Sequence, residues 1–94
     1  MKEHQTQALA ELFSAFSDAS RLKIIAALAQ GECNVSRIAE MVGLSESATS
    51  HHLRGLRQMK LVRTRKQGRQ VFYSLQDEHV ILIYEIGREH ILHG

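Results

Sequence analysis

Residues 44–75, LSESATSHHLRGLRQMKLVRTRKQGRQVFYSL, hold the pattern on which the fold turns. Ser45 is a good N-cap, and a helix runs from it to about Met59. After Met59 the period of the sequence changes from 3.6 to 2. Val62 and Thr64 alternate with Arg63 and Arg65, and Val71, Tyr73 and Leu75 alternate with Gln70, Phe72 and Ser74. Lys66-Gln67-Gly68-Arg69 lies between the two runs, a short loop with the glycine that a β-hairpin needs. A helix followed directly by a basic hairpin is therefore the expectation for this third of the chain.

Working toward the N-terminus, glycine supplies nearly all the punctuation, because the chain has no proline. Gly43 suits the left-handed residue that ends a short helix capped by Asn34, with Val35, Ile38, Ala39 and Val42 on one face. Ser17 or Asp18 can cap an earlier helix with Leu22, Ile25 and Leu28 among its apolar positions, ending before Gly31. Leu9, Leu12, Phe13 and Phe16 have the i, i+3, i+4, i+7 spacing of an amphipathic first helix. Toward the C-terminus, the pattern is helical again from Asp77 to about His93. The sequence predicts a mainly α protein in the order α-α-α-α-β-β-α.

Two short helices across a tight glycine turn make a helix-turn-helix, and a hairpin beside it makes a winged helix. The small side chain of Ala39 lets the two helices cross closely. The second of them opens Ser45-Glu46-Ser47-Ala48-Thr49-Ser50-His51-His52, short polar side chains of the kind that enter a major groove. Arg54 and Arg57 follow, then Arg65, Lys66 and Arg69 in the hairpin, within reach of phosphates or a minor groove. Taken singly, serines at a helix start are ordinary caps and paired histidines are ordinary surface; their order along one segment points to DNA.

Charge supports this. Lys and Arg total 12 and Asp and Glu total 10, a net +2. No acid falls between Ser47 and Gln76, where Arg54, Arg57, Lys60, Arg63, Arg65, Lys66 and Arg69 give +7, so the remainder carries −5. A concentrated basic block in a folded domain is the footprint of a polyanion partner.

Ninety-four residues allow one domain, residues 1–94, with a core that is marginal without help. Disulfides cannot supply that help, since Cys33 is the only cysteine. One cysteine and no signal-peptide pattern fit a cytoplasmic protein, and the longest apolar run, Ile24–Ala29, is too short for a membrane. A metal or a partner chain remains.

The last helix offers both. Asp77, His79, His90 and His93 are all competent zinc ligands. His79 and His90 are eleven apart and share a helix face, yet stand about 16 Å apart along the axis. One straight helix therefore cannot bring all four to a single ion, whose ligand atoms sit about 2.0–2.2 Å away. An antiparallel copy can. Asp77 and His93, like His79 and His90, are almost equidistant from a point near Tyr84 and Glu85. About a two-fold axis there, Asp77 and His79 of one protomer meet His90 and His93 of the other, which creates two equivalent sites. Three imidazoles and one carboxylate favour tetrahedral zinc with no vacant position, which argues against an enzyme. Val80, Ile81, Ile83, Ile86 and Ile91 are too many for one buried face and suit a helix packed on both its own domain and a partner. Because bound histidine is neutral, zinc affinity should drop as pH falls through about 6.5.

From Leu44 to Leu75 the residues resemble the recognition helix and wing of the ArsR/SmtB metal-responsive repressors, and the likeness runs from about Ala8 to His93. It implies a homodimeric winged-helix repressor on an operator of two-fold symmetry. By position, Ser47, Ser50 and His51 would face base edges, while Arg54, Arg65, Lys66 and Arg69 would hold the backbone. The order Asp, any residue, His, ten residues, His, two residues, His resembles the C-terminal-helix site of zinc-sensing members. It implies Zn(II), with Co(II) as a surrogate and Ni(II) as an alternative occupant. The implied mechanism is an apo dimer on DNA that zinc releases, with the ring of His90 bonded to a carbonyl near Lys60. Relatives with a thiolate site carry a cysteine where this chain has Asn34, so Cys33 is one position off and reads as structural or incidental. The competing reading is a metal-independent DNA-binding regulator whose histidines are structural or vestigial.

Overall fold

The computed structural model describes residues 1–94. Its elements are α1 (Glu3–Ala15), α2 (Ala19–Ala29), β1 (Cys33–Asn34), α3 (Val35–Val42), α4 (Glu46–Gln58), β2 (Val62–Gln67), β3 (Gln70–Leu75) and α5 (Glu78–His93). Short polar side chains start the helices. Asp18 accepts from the Arg21 N–H at 3.0 Å, Asn34 from Arg37 at 2.9 Å and Ser45 from Ala48 at 3.0 Å. Each satisfies a donor that the first turn leaves without an intrahelical partner.

Gly43 ends α3 at φ 74, and the N–H groups of Gly43 and Leu44 both bond the Ala39 carbonyl, at 2.9 and 3.2 Å. Only Leu44 and Ser45 then separate Gly43 from α4. This left-handed residue sets the angle between α3 and α4.

The hairpin is tighter than the predicted four-residue loop. The ladder pairs Gln67 with Gln70, so Lys66 and Gln67 belong to β2 and only Gly68 and Arg69 turn. Gly68 has φ 62, as the first position of a type II′ loop requires. The structure also adds a strand. β1 pairs antiparallel with β3, Cys33 opposite Tyr73, giving a three-stranded sheet in the order β1-β3-β2. Asn34 ends that strand and caps α3, and its Nδ2 donates to Gln70 Oε1 at 2.9 Å. The wing is thus tied to the start of the helix-turn-helix.

Ile24 and Ile25 of α2, Ile38 of α3, Leu53 and Leu56 of α4 and Val62 of β2 are fully buried, with Leu75 and Val80 beside them. Thr49 is the one buried polar residue, and its hydroxyl donates to the Ser45 carbonyl at 2.8 Å. The core sits beneath α4 and fixes the face that α4 turns outward. No helix is long and apolar enough to cross a membrane.

Candidate nucleic-acid interface and metal site

Burial of Thr49, Leu53 and Leu56 leaves the opposite side of α4 free. At 100° per residue, Ser47, Ser50, His51 and Arg54 fall on one stripe, and Gln58 continues it. Ser47, His51, Arg54 and Gln58 are exposed and Ser50 is half-buried. Gln58 was missed in the sequence reading, although the same 3.6-residue spacing reaches it. Arg57 is exposed as well, just off the stripe.

The wing divides its bases. Lys66 and Arg69 are exposed and make no ion pair or side-chain hydrogen bond. Arg65 is engaged instead. Its Nη2 and Nε donate to Glu32 Oε1 and Oε2 at 2.7 and 3.1 Å, and its Nη1 donates to Gln67 at 2.8 Å. The guanidinium also lies over the Phe72 ring, 5.0 Å from its centroid. Bonding to Arg65 holds the Glu32 carboxyl below the usual glutamate range. Arg65 is thereby placed as a strut between the α2–α3 link and the wing, whereas Lys66 and Arg69 are the wing's free cations.

On α5, the same angular arithmetic puts His79, Leu82, Ile83, Ile86, His90 and His93 on one stripe. Only Val80 of this helix is buried. Leu82 and Ile86 are 54% and 68% exposed, a large apolar surface between the two ends that carry the candidate ligands. Asp77 is the N-cap, and its Oδ1 accepts from the N–H groups of His79 and Val80 at 2.9 and 3.4 Å. That oxygen lies 3.4 Å from His79 Nδ1. Ligand atoms of tetrahedral zinc stand about 3.3 Å from one another, so this pair has the spacing of two ligands on one ion. No three His, Cys, Asp or Glu side chains of the single chain come together as a metal site. His90 and His93 lie at the far end of α5, as helix length dictates.

The helices at this end leave more open. Leu9 and Phe13 of α1 are 41% and 52% exposed, so the apolar face of α1 is not consumed by its own domain. A groove of about 690 Å³ between α1, α2 and α5 is lined by Phe13, Phe16, Leu22, Ile83, Tyr84 and Ile91 among others. The chain exposes 6626 Å², against about 5,500 Å² for a compact monomer of 10.7 kDa. The excess, roughly 1,100 Å², exceeds what one partner contributes to a standard interface. Cys33 is half-buried on β1, with Sγ 3.6 Å from the Gly31 carbonyl oxygen.

Known proteins share this arrangement. The family described as bacterial regulatory protein, arsR family, matches residues 18–64. A transcriptional repressor SmtB homolog of Synechocystis is 46% identical over 91 residues, 97% of this chain and 69% of the relative. A cadmium resistance regulatory protein, the CadC homolog of Staphylococcus aureus, is 41% identical over 82% of this chain and 64% of its own length. The chain thus spans about two thirds of these relatives. Among solved structures, the homodimeric winged helix-turn-helix DNA-binding domain of Mb0332 from Mycobacterium bovis superposes with a TM-score of 0.85. It is 27% identical and covers all of this chain and 94% of that one. With the helix-turn-helix, the wing and these relatives together, the chain belongs to the ArsR family of winged-helix, DNA-binding regulatory proteins.

Proposed function

We propose that the chain is a zinc-responsive transcriptional repressor: the metal-free homodimer binds operator DNA, and Zn(II) between the two α5 helices lowers that affinity. The observation that carries this reading is the α5 stripe, with donors at both ends and exposed Leu82 and Ile86 between. The apolar centre favours a second, antiparallel α5, and that packing brings the Asp77 and His79 end of one chain beside the His90 and His93 end of the other. Two zinc ions per dimer follow from the symmetry.

The donors fit zinc. Three imidazoles and a carboxylate are borderline-hard ligands, and a thiolate site has only Cys33 to draw on, which favours zinc over cadmium. Co(II) takes the same geometry as a spectroscopic surrogate. On the DNA side, Ser47, Ser50 and His51 meet base edges while Arg54, Lys66 and Arg69 hold phosphates, and Arg65 keeps the wing in place.

An effector shifts an equilibrium only through different affinities for two states. A bridging metal supplies that difference, because it holds one relative orientation of the two protomers. The resemblance implies that in the metal-loaded dimer the ring of His90 bonds a carbonyl near Lys60. Lys60 stands where α4 hands over to β2, at φ 61, and a pull there re-aims the recognition helix. Coupling in such systems is typically about 1–3 kcal/mol, or roughly 5–150-fold in affinity. The test is Co(II) absorption of the purified dimer, zinc displacement, then binding to a duplex selected from a random pool. A tetrahedral spectrum with loss of DNA affinity supports the reading; DNA affinity indifferent to metal refutes it.

A further inference from the structure

One polar feature lies outside the predicted contact set. Between the start of α2 and the flank of α4 is a cleft of about 140 Å³, lined by Arg21, His51, His52, Arg54, Gly55 and Gln58, with no apolar residue among them. His51 and Arg54 belong to the DNA-facing stripe, so the cleft opens beside that surface. We propose that this cleft seats one phosphodiester of the DNA backbone, with Arg21 of α2 and His52 on the flank of α4 as contacts beyond the predicted stripe and the wing.

Arg21 is built for the task. Its Nε donates to the Ala15 carbonyl at 3.2 Å and its Nη2 to the Ser14 carbonyl at 3.1 Å. These two bonds immobilise the guanidinium at the end of α1 and leave Nη1 without a partner. A guanidinium carries five N–H donors in a rigid fork, and a fixed one loses little freedom when it takes a phosphate oxygen. His52 is half-buried and makes no side-chain hydrogen bond, although its ring packs edge-on to His51 at 5.9 Å between centroids. The nearest acid, Asp18, is committed to the α2 cap and held below the usual carboxylate range chiefly by its bond from the Arg21 N–H. Asp18 is therefore ionised and feels the charges of Arg21 and His52, but it does not line the cleft, whose wall holds no acid.

Gly55 forms part of the wall. A Cβ at this position would meet no atom within 4 Å, so helix packing does not demand glycine there. Glycine inside a helix is unfavourable relative to alanine or leucine, and the room it leaves is the room a phosphate needs.

This assignment rests on the DNA-binding reading, and the experiment separates the two. The affinity of the wild-type dimer for a selected duplex is measured from low to high salt, beside His52→Ala and Gly55→Leu. One phosphate contact contributes about 0.9 to the slope of log K against log salt. We expect each variant to fold with unchanged or, for Gly55→Leu, higher thermal stability. For Gly55→Leu, which fills the cleft, the slope should fall by about 1.8 per dimer, one contact from each protomer; His52→Ala, which leaves Arg21 in place, should give a smaller fall. In amide spectra, the Gly55 and Arg21 signals of the wild type should move when duplex is added. Variants that keep the full wild-type slope, with unmoved Gly55 and Arg21 signals, overturn the cleft assignment alone. A wild-type dimer that binds no duplex would instead overturn the reading beneath it.

Discussion

The Glu32 carboxylate grips the Arg65 guanidinium with two hydrogen bonds, Oε1 to Nη2 at 2.7 Å and Oε2 to Nε at 3.1 Å. The two residues are 33 positions apart, one just before β1 and the other midway along β2. The paired, planar geometry orients as well as attracts. It fixes the wing against the body that carries the recognition helix.

This pair makes wing stability depend on pH. Bonding to Arg65 lowers the folded-state pKa of Glu32, so the stabilisation is fully present above the ordinary glutamate value of about 4.3. It is lost as pH falls through the lower, folded value. Glu32→Gln should therefore lower Tm relative to wild type at neutral pH. The gap should close as pH is taken from about 5 toward 3. A Tm difference that stays constant over that range would show that the ion pair contributes nothing.

Gly43 carries a different kind of constraint. Its φ of 74 is accessible to glycine and costs an L-residue roughly 1–2 kcal/mol. Gly43→Ala should lower Tm by about 4–8 °C for each kcal/mol lost. Because a methyl there meets no neighbour within 4 Å, the loss reports backbone strain and not a clash. Unchanged stability of Gly43→Ala in urea titration would contradict the left-handed turn.

The DNA-facing residues should separate into two behaviours. Lys66→Ala and Arg69→Ala should weaken binding on every sequence and reduce the salt slope by about 0.9 for each contact removed. Ser50→Ala and His51→Ala should leave the slope alone and relax discrimination between the selected duplex and its mismatched versions, by about 1–3 kcal/mol per base pair read. Arg65→Ala should do neither cleanly: its first effect is a less stable wing, seen as faster amide exchange across β2 and β3. Equal salt slopes for the Lys66, Arg69 and Ser50 variants would remove this division of labour.

Much of this was legible in the residues, and the parts that were not share a cause. The caps Asn34 and Ser45, the turn at Gly43 and the switch from period 3.6 to period 2 after Met59 are local signals. The exposed stripe on α4 proposed to face DNA is local as well, and strict application of its spacing extends it to Gln58. β1 escaped because two residues have no period, and Asn34 already read as a cap. The Glu32–Arg65 strut and the Arg21–His52 cleft escaped for another reason: each joins residues far apart in sequence that meet only after the core has closed. Arg65 looked like its neighbour Lys66 in a basic run, and only packing distinguishes the engaged cation from the free one. For α5 the case is reversed. Its stripe of candidate ligands and apolar residues is plain in the sequence, and the single folded chain leaves it exposed.

The account turns on a site shared between two chains, which mixed dimers test directly. One partner carries Asp77→Ala with His79→Ala, the other His90→Ala with His93→Ala, and the heterodimer is isolated by two different affinity tags. Neither homodimer should bind zinc tightly or leave DNA when zinc is added. The heterodimer joins the intact end of one helix to the intact end of the other. It should bind one zinc ion per dimer and regain part of the zinc-driven release from a selected duplex. A heterodimer as metal-blind as its two parents would contradict the shared site.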